Sequence, residues 1–172
     1  RGGAWMDDVR TRWLRPDTGT LQTPVAHLVC NFADSMVTDG VASPALLSHD
    51  DVTTLFHEFG HGLHGLLSKV NYERLAGTQV LRDFVELPSQ LFENWAMEPE
   101  VLQRHARHYA TGEPMPATLL DKLKRSRQFD QAWATVQYTG PALIDMALHA
   151  LPNGTAVDIA AFEAEQAARL GI

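Results

Sequence analysis

The chain has 172 residues and a net charge of −7, with no long block of either sign. Its length suits one domain with a real core, or part of a larger one. No clustered basic patch suggests a nucleic-acid partner, and no apolar run reaches the roughly 18–20 residues that span a membrane. A single cysteine, Cys30, excludes an internal disulfide and fits a reducing, cytoplasmic setting. No signal peptide is recognisable. The Arg-Gly-Gly start and the abrupt close suggest that both ends were cut from a longer protein.

Residues 1–23 carry little periodicity beyond a strand expected around Ala4 to Met6. Residues 24–32 read as a buried strand bounded by Pro24 and Asn31, with Cys30 as a small buried hydrophobe. Residues 33–48, which hold Asp39-Gly40 and Ser43-Pro44, read as loop. A helix capped by Ser48 or Asp50 is expected to run to about Ser68. After a loop centred on Gly77, a second helix runs from near Asp83 to near Met97. A third starts near Glu98 and stops at Gly112. Further helices are expected over 117–127, 128–150 (interrupted at Gly140-Pro141) and 157–169. The basic run Lys122, Lys124, Arg125 and Arg127 reads as a solvated helix face. The expected fold is therefore mainly α, with a small N-terminal β element.

In the first long helix, FHEFGHGLHGLL contains three histidines and a glutamate. At 100° per residue, Val52, Leu55, Phe56, Phe59, Leu63, Leu66 and Leu67 share one arc of roughly 120°, which reads as the buried face. His57, His61 and His64 lie opposite, so they face either water or something polar. His57-Glu58-Phe59-Gly60-His61 fits H-E-x-x-H. Residues i and i+4 stand one turn apart, so two imidazoles can reach one Zn²⁺ while the offset glutamate stands beside the bound water. Two histidines alone make a poor zinc site. One class of zinc peptidases takes a third histidine six residues on. That needs glycine at 64 and histidine at 67, where this chain has His64 and Leu67. The other common solution is a carboxylate from a second helix.

The segment from Asp83 to Trp95 offers one. Phe84, Val85, Leu87, Leu91, Phe92 and Trp95 form an apolar back, and Glu86, Gln90 and Glu93 a narrow polar front. Glu86 follows His61 by 25 residues, enough for a turn and an antiparallel return. Pro88 is expected to kink this helix. Asp83 reads as its cap. His64 is expected to hydrogen-bond nearby polar groups, and Trp5, Trp13, Trp95 and Trp133 to pack in or near the core.

H-E-F-G-H-x-x-H followed by G-T-x-x-x-R-D-F-V-E-x-P-S-Q-x-x-E-N-W resembles the thimet oligopeptidase family of zinc peptidases, which includes oligopeptidase A and bacterial peptidyl-dipeptidases. The likeness extends through Gly2-Gly-Ala-Trp5, Cys30-Asn-Phe32 and Gly77-Thr78, and more weakly to about residue 150. It implies a zincin-like catalytic fragment. His57, His61 and Glu86 would hold one Zn²⁺, and Glu58 would be the general base that takes a proton from the metal-bound water. Glu93 would orient a zinc-ligating histidine, most simply His57. Gly3 and Ala4 would border the substrate backbone, with Gly77 on the same cleft.

The family's members are several times longer, so residues 1–172 would be a partial catalytic domain. The N-terminal channel wall and the C-terminal segment that supports the transition state would lie outside it. The implied substrates are short peptides and the implied parent is a monomer. The alternatives are a peptidyl-dipeptidase releasing C-terminal dipeptides, or a zinc-binding fragment without activity.

Overall fold

The structure is a computed structural model and describes residues 2–171. It is mainly α. The chain divides into two compact units, Arg1–Met115 and Pro116–Ile172.

In the first unit, β1 (Trp5–Arg10) pairs antiparallel with β4 (Val25–Val29), and both strands pack on α1 (His49–Leu67). Between them, β2 (Trp13–Leu14) and β3 (Leu21–Gln22) form a short ribbon of their own. Gly3 and Ala4 lie just before β1 rather than in a strand. The strand expected over 24–32 is shorter and alternates between exposed and half-buried residues, because only one of its faces meets α1. A bulge between Asp8 and Arg10 breaks the β1–β4 register and accompanies a turning of the Asp8 carboxylate toward Gly65 of α1.

The segment read as loop contains a hairpin, β5 (Met36–Thr38) and β6 (Val41–Ser43). Asp39 and Gly40 have φ of 53° and 76°. Two left-handed residues in a two-residue loop are what a type I′ turn requires, and Asp-Gly supplies them.

α1 begins where its capping chemistry places it. Ser48 accepts from the Asp51 amide and the Asp51 side chain accepts from the Ser48 amide, so two orphan donors are satisfied reciprocally. At the far end the Ser68 hydroxyl donates to His64 O at 2.8 Å and accepts from Gly77 N at 2.6 Å. The 69–80 connection is thereby tied back to the helix.

The second helix is shorter than expected. Residues 82–86 form turns, α2 spans Leu87–Glu93, and a 3₁₀ turn follows over Asn94–Met97. Glu86, not Asp83, is the N-cap residue, so the expected ligand stands at the mouth of α2 rather than within it. Pro88 falls in the first turn, where no amide partner is needed, so it starts the helix instead of kinking it. Phe84 meets His64, Ser89 meets Gly60 and Phe92 meets Phe56, so α2 runs antiparallel to α1.

The buried faces also differ from the periodicity. On α1 the buried residues are Glu58, Gly60, His61, Gly62 and Gly65, whereas Phe59 is 42% and Leu67 70% exposed. On α2 the buried residue is Ser89, and Leu91 is exposed. The helices meet through small residues that bring backbones close. The apolar arcs are only partly covered: Phe92 packs on Phe56 and Phe59, while Leu67 and Leu91 stay exposed. Trp5, Trp95 and Trp133 are likewise exposed rather than core. α3 (Pro99–His105) completes this unit and ends before Gly112, which sits in a separate turn closed by the Arg107–Pro114 bridge.

The second unit holds α4 (Ala117–Gln128), α5 (Gln131–His149) and α6 (Ile159–Leu170). The basic residues of α4 are exposed, as expected of a solvated face. α5 continues through Pro141 without the expected interruption. A proline inside a helix forfeits one amide bond, and here the turns on either side keep theirs. Among the described residues no helix is long and apolar enough to cross a membrane.

Candidate metal centre

α1 sets His57 and His61 one turn apart, with ring centroids 4.9 Å from each other. The turn before α2 brings Glu86 across to both. Its Oε2 lies 3.3 Å from His57 Nε2 and 3.2 Å from His61 Nε2. One donor atom from each of the three residues falls within 4.8 Å of the others.

The protonation pattern follows from what lies behind His57. Its Nδ1 is 2.7 Å from Glu93 Oε1. A carboxylate only accepts, so Nδ1 carries the proton. In the neutral ring Nε2 then turns a lone pair toward Glu86 Oε2, which has only lone pairs to offer. A cation between the donors would satisfy both. Bonds of about 2.0–2.1 Å at tetrahedral angles place two ligands of one zinc ion about 3.3 Å apart. The observed separations match that edge and are long for a charge-assisted hydrogen bond of about 2.7–2.9 Å. Two imidazoles and one carboxylate are also a donor set that zinc accepts. The residues present therefore fit the ion.

His61 is less well supported. Its Nδ1 is buried and has no hydrogen-bond partner among the described residues. Glu58 is 6% exposed and lies near Cys30, just past β4. There its charge, after burial itself, helps push the Cys30 thiol upward, with Asp51 adding a smaller effect. Among the described residues the Glu58 carboxylate accepts no hydrogen bond, which leaves its oxygens free for a proton.

His64 does not make the hydrogen bonds expected of it. Its ring packs edge-on to Phe84 at 6.1 Å and its Nδ1 is buried without a partner. Burial, with the neighbouring His61 adding, holds its pKa below the usual histidine range, against a weaker opposing effect of Asp8. Asp8 is raised in turn, first by burial and then by Asp7, with His64 opposing.

The three residues expected to border substrate are placed differently from one another. Gly3 has φ of 93° and open space around it. Ala4 is half-buried beside it. Gly77 has φ of 52°, and a Cβ there would stand 2.8 Å from Gly65 Cα. Its lack of a side chain is thus required by packing against α1. Gly77 also borders an apolar cleft of about 420 Å³ together with His64, Leu63, Val80 and Leu91.

The side chain that the sequence reading passed over is Ser89. It is fully buried, directly under Glu86. The available signal was its position three residues after Glu86 at a helix start, where i and i+3 share a face.

The chain matches the family described as Peptidase family M3 over residues 1–168. It is 48% identical over 151 residues to oligopeptidase A of Salmonella typhimurium (strain LT2), an alignment covering 87% of this chain and 22% of that protein. Dipeptidyl carboxypeptidase of the same strain is 44% identical over 163 residues, covering 94% and 23%. Mitochondrial intermediate peptidase of Arabidopsis thaliana is 43% identical over 144 residues, covering 84% and 20%. The chain thus spans about a fifth of the length of these curated relatives.

Proposed function

This chain belongs to peptidase family M3, and on that premise we propose that it is the zinc-binding part of a cytoplasmic metallo-oligopeptidase that hydrolyses peptide bonds in short peptides. The observation that carries the reading is the convergence of His57 Nε2, His61 Nε2 and Glu86 Oε2, with His57 held from behind by Glu93. These three atoms would hold one Zn²⁺. When bound, zinc supplies a Lewis acid that makes a water acidic near neutral pH and polarises a carbonyl.

The chain's own residues supply the rest. Glu93 fixes the His57 ring and its tautomer through the Nδ1–H bond. Glu58 accepts a proton from the attacking water as the new C–O bond forms. It returns that proton to the departing amine as the C–N bond breaks, so it ends unchanged. Its burial excludes competing solvent. Residues 1–172 would form one part of a monomeric catalytic domain. The higher identity to oligopeptidase A favours internal cleavage over release of C-terminal dipeptides.

Two measurements test this. Zinc content after exhaustive dialysis should be one ion per chain. A quenched fluorogenic peptide should be cut by the longer protein, and blocking the peptide's C-terminus as an amide should leave cleavage intact, whereas dependence on a free terminal carboxylate would point to dipeptide release. Glu58→Gln should keep zinc affinity within about twofold and lower kcat by roughly 10²–10⁴. A Glu58→Gln enzyme with undiminished turnover would remove Glu58 from the mechanism.

A further inference from the structure

We propose that Ser89 is the positioning residue that holds the Glu86 carboxylate in its metal-binding pose. The inference rests on the zinc reading above. The Ser89 hydroxyl lies 2.9 Å from Glu86 Oε2 and 2.9 Å from the Glu86 backbone oxygen. It has one proton and therefore one full donation to make. The backbone oxygen already accepts from Gln90 N at 2.9 Å, so the carboxylate is the acceptor left in need.

That need is real because Glu86 is otherwise poorly held. Its side chain is 49% exposed and, as N-cap residue, makes no capping hydrogen bond. Among the described residues, Ser89 is the only side chain that donates a hydrogen bond to its carboxylate. An exposed glutamate with three free torsions loses rotamer freedom on being fixed. A buried hydroxyl that fixes it beforehand removes part of that cost from metal binding.

Ser89 is suited to this by its own immobility. It is fully buried. A Cβ on Gly60 would come within 2.7 Å of Ser89 Cα and 2.8 Å of Pro88 O, so the α2 backbone rests directly on α1 at this point. The hydroxyl is thus anchored to the same helix that carries His57 and His61. Ser89 bears on Glu86 as Glu93 bears on His57, and together they leave His61 as the donor without a fixed partner.

The test uses the 172-residue chain and its Ser89→Ala and Glu86→Ala variants, titrated with zinc against a chromogenic chelator. The visible spectrum of the cobalt-substituted protein and the melting temperature of the metal-free protein are measured alongside. Ser89→Ala should weaken zinc binding by roughly 10-fold, within the 10–100-fold range for loss of an outer partner. It should also change the cobalt absorption bands while leaving the metal-free melting temperature where it was. Zinc affinity within twofold of the parent, with Glu86→Ala still defective, overturns the role of Ser89 and leaves the metal centre standing. A parent chain that binds no better than Glu86→Ala overturns the zinc reading itself and Ser89 with it. A Ser89→Ala variant that fails to fold, or that loses affinity with unaltered cobalt bands, assigns Ser89 to packing alone and overturns the proposal.

Discussion

Glu86→Ala should cost the chain its zinc, with affinity falling by well over the roughly 10–100-fold expected for an outer partner. Glu86 is the anionic member of the donor set, and its Oε2 is the atom that both Nε2 atoms face. Removing it leaves two neutral imidazoles, one ligand short of the three that a catalytic zinc site uses. Two histidines a turn apart on a helix still attract transition metals weakly, so residual binding is expected rather than none. Glu86→Gln separates charge from shape. The amide keeps one oxygen near the imidazoles but carries no net charge, so it should sit between the parent and alanine. Equilibrium dialysis against zinc at neutral pH reads all three. Unchanged affinity in the alanine variant would sink Glu86 as a ligand.

Gly60→Ala should destabilise the first unit by about 1–3 kcal/mol, the usual cost of overpacking, and weaken the metal centre with it. In an open helix interior this change would gain about 1 kcal/mol. Here the new methyl would lie 2.7 Å from Ser89 Cα, 2.8 Å from Pro88 O and 3.0 Å from Phe92 Cβ. Two of those three are backbone atoms, which cannot rotate aside, so α2 must move. Glu86 and Glu93 move with it. Gly62→Ala is the control on the same helix. Its methyl would meet only the tip of Leu28, at 3.3 Å, and a side-chain end can shift a few tenths of an ångström. The two variants should therefore differ in thermal unfolding, with Gly60→Ala melting several degrees lower and Gly62→Ala near the parent. Equal melting temperatures would mean that the α1–α2 approach is softer than its geometry implies.

The parts of the site that sequence made legible are those fixed by local chemistry. The start of α1 follows from Ser48 and Asp51, and the pairing of His57 with His61 follows from the helical repeat. The Glu93–His57 bond and the approach of Glu86 followed from two polar fronts on successive helical segments together with the family resemblance. The choice of buried face was not legible, because periodicity assumes that the apolar arc goes inward. On α1, glycines at 60, 62 and 65 allow backbone and carboxylate contacts that the apolar side cannot make, so the histidine side is enclosed and Phe59 and Leu67 remain exposed. The α2 boundary was misplaced because Pro88 was counted as an interior residue. Its fixed φ suits the first turn equally well. The hairpin at 36–43 was announced by Asp39-Gly40, but its strands are exposed on both faces and carry no alternation to confirm it.

α2 carries Glu86 at its mouth and Glu93 at its last turn, seven residues apart and almost two full turns. The first reaches toward both imidazoles and the second holds one of them, so a single rigid element sets both. The length of this segment is therefore fixed in a way that the 69–80 connection is not. One residue inserted between Glu86 and Glu93 would swing the latter by about 100° around the axis. It would strand either the Nδ1–H of His57 or the carboxylate facing Nε2. Lengthening the chain near Tyr72, where residues are exposed within the loop that the Ser68–Gly77 tie closes, should leave that spacing untouched.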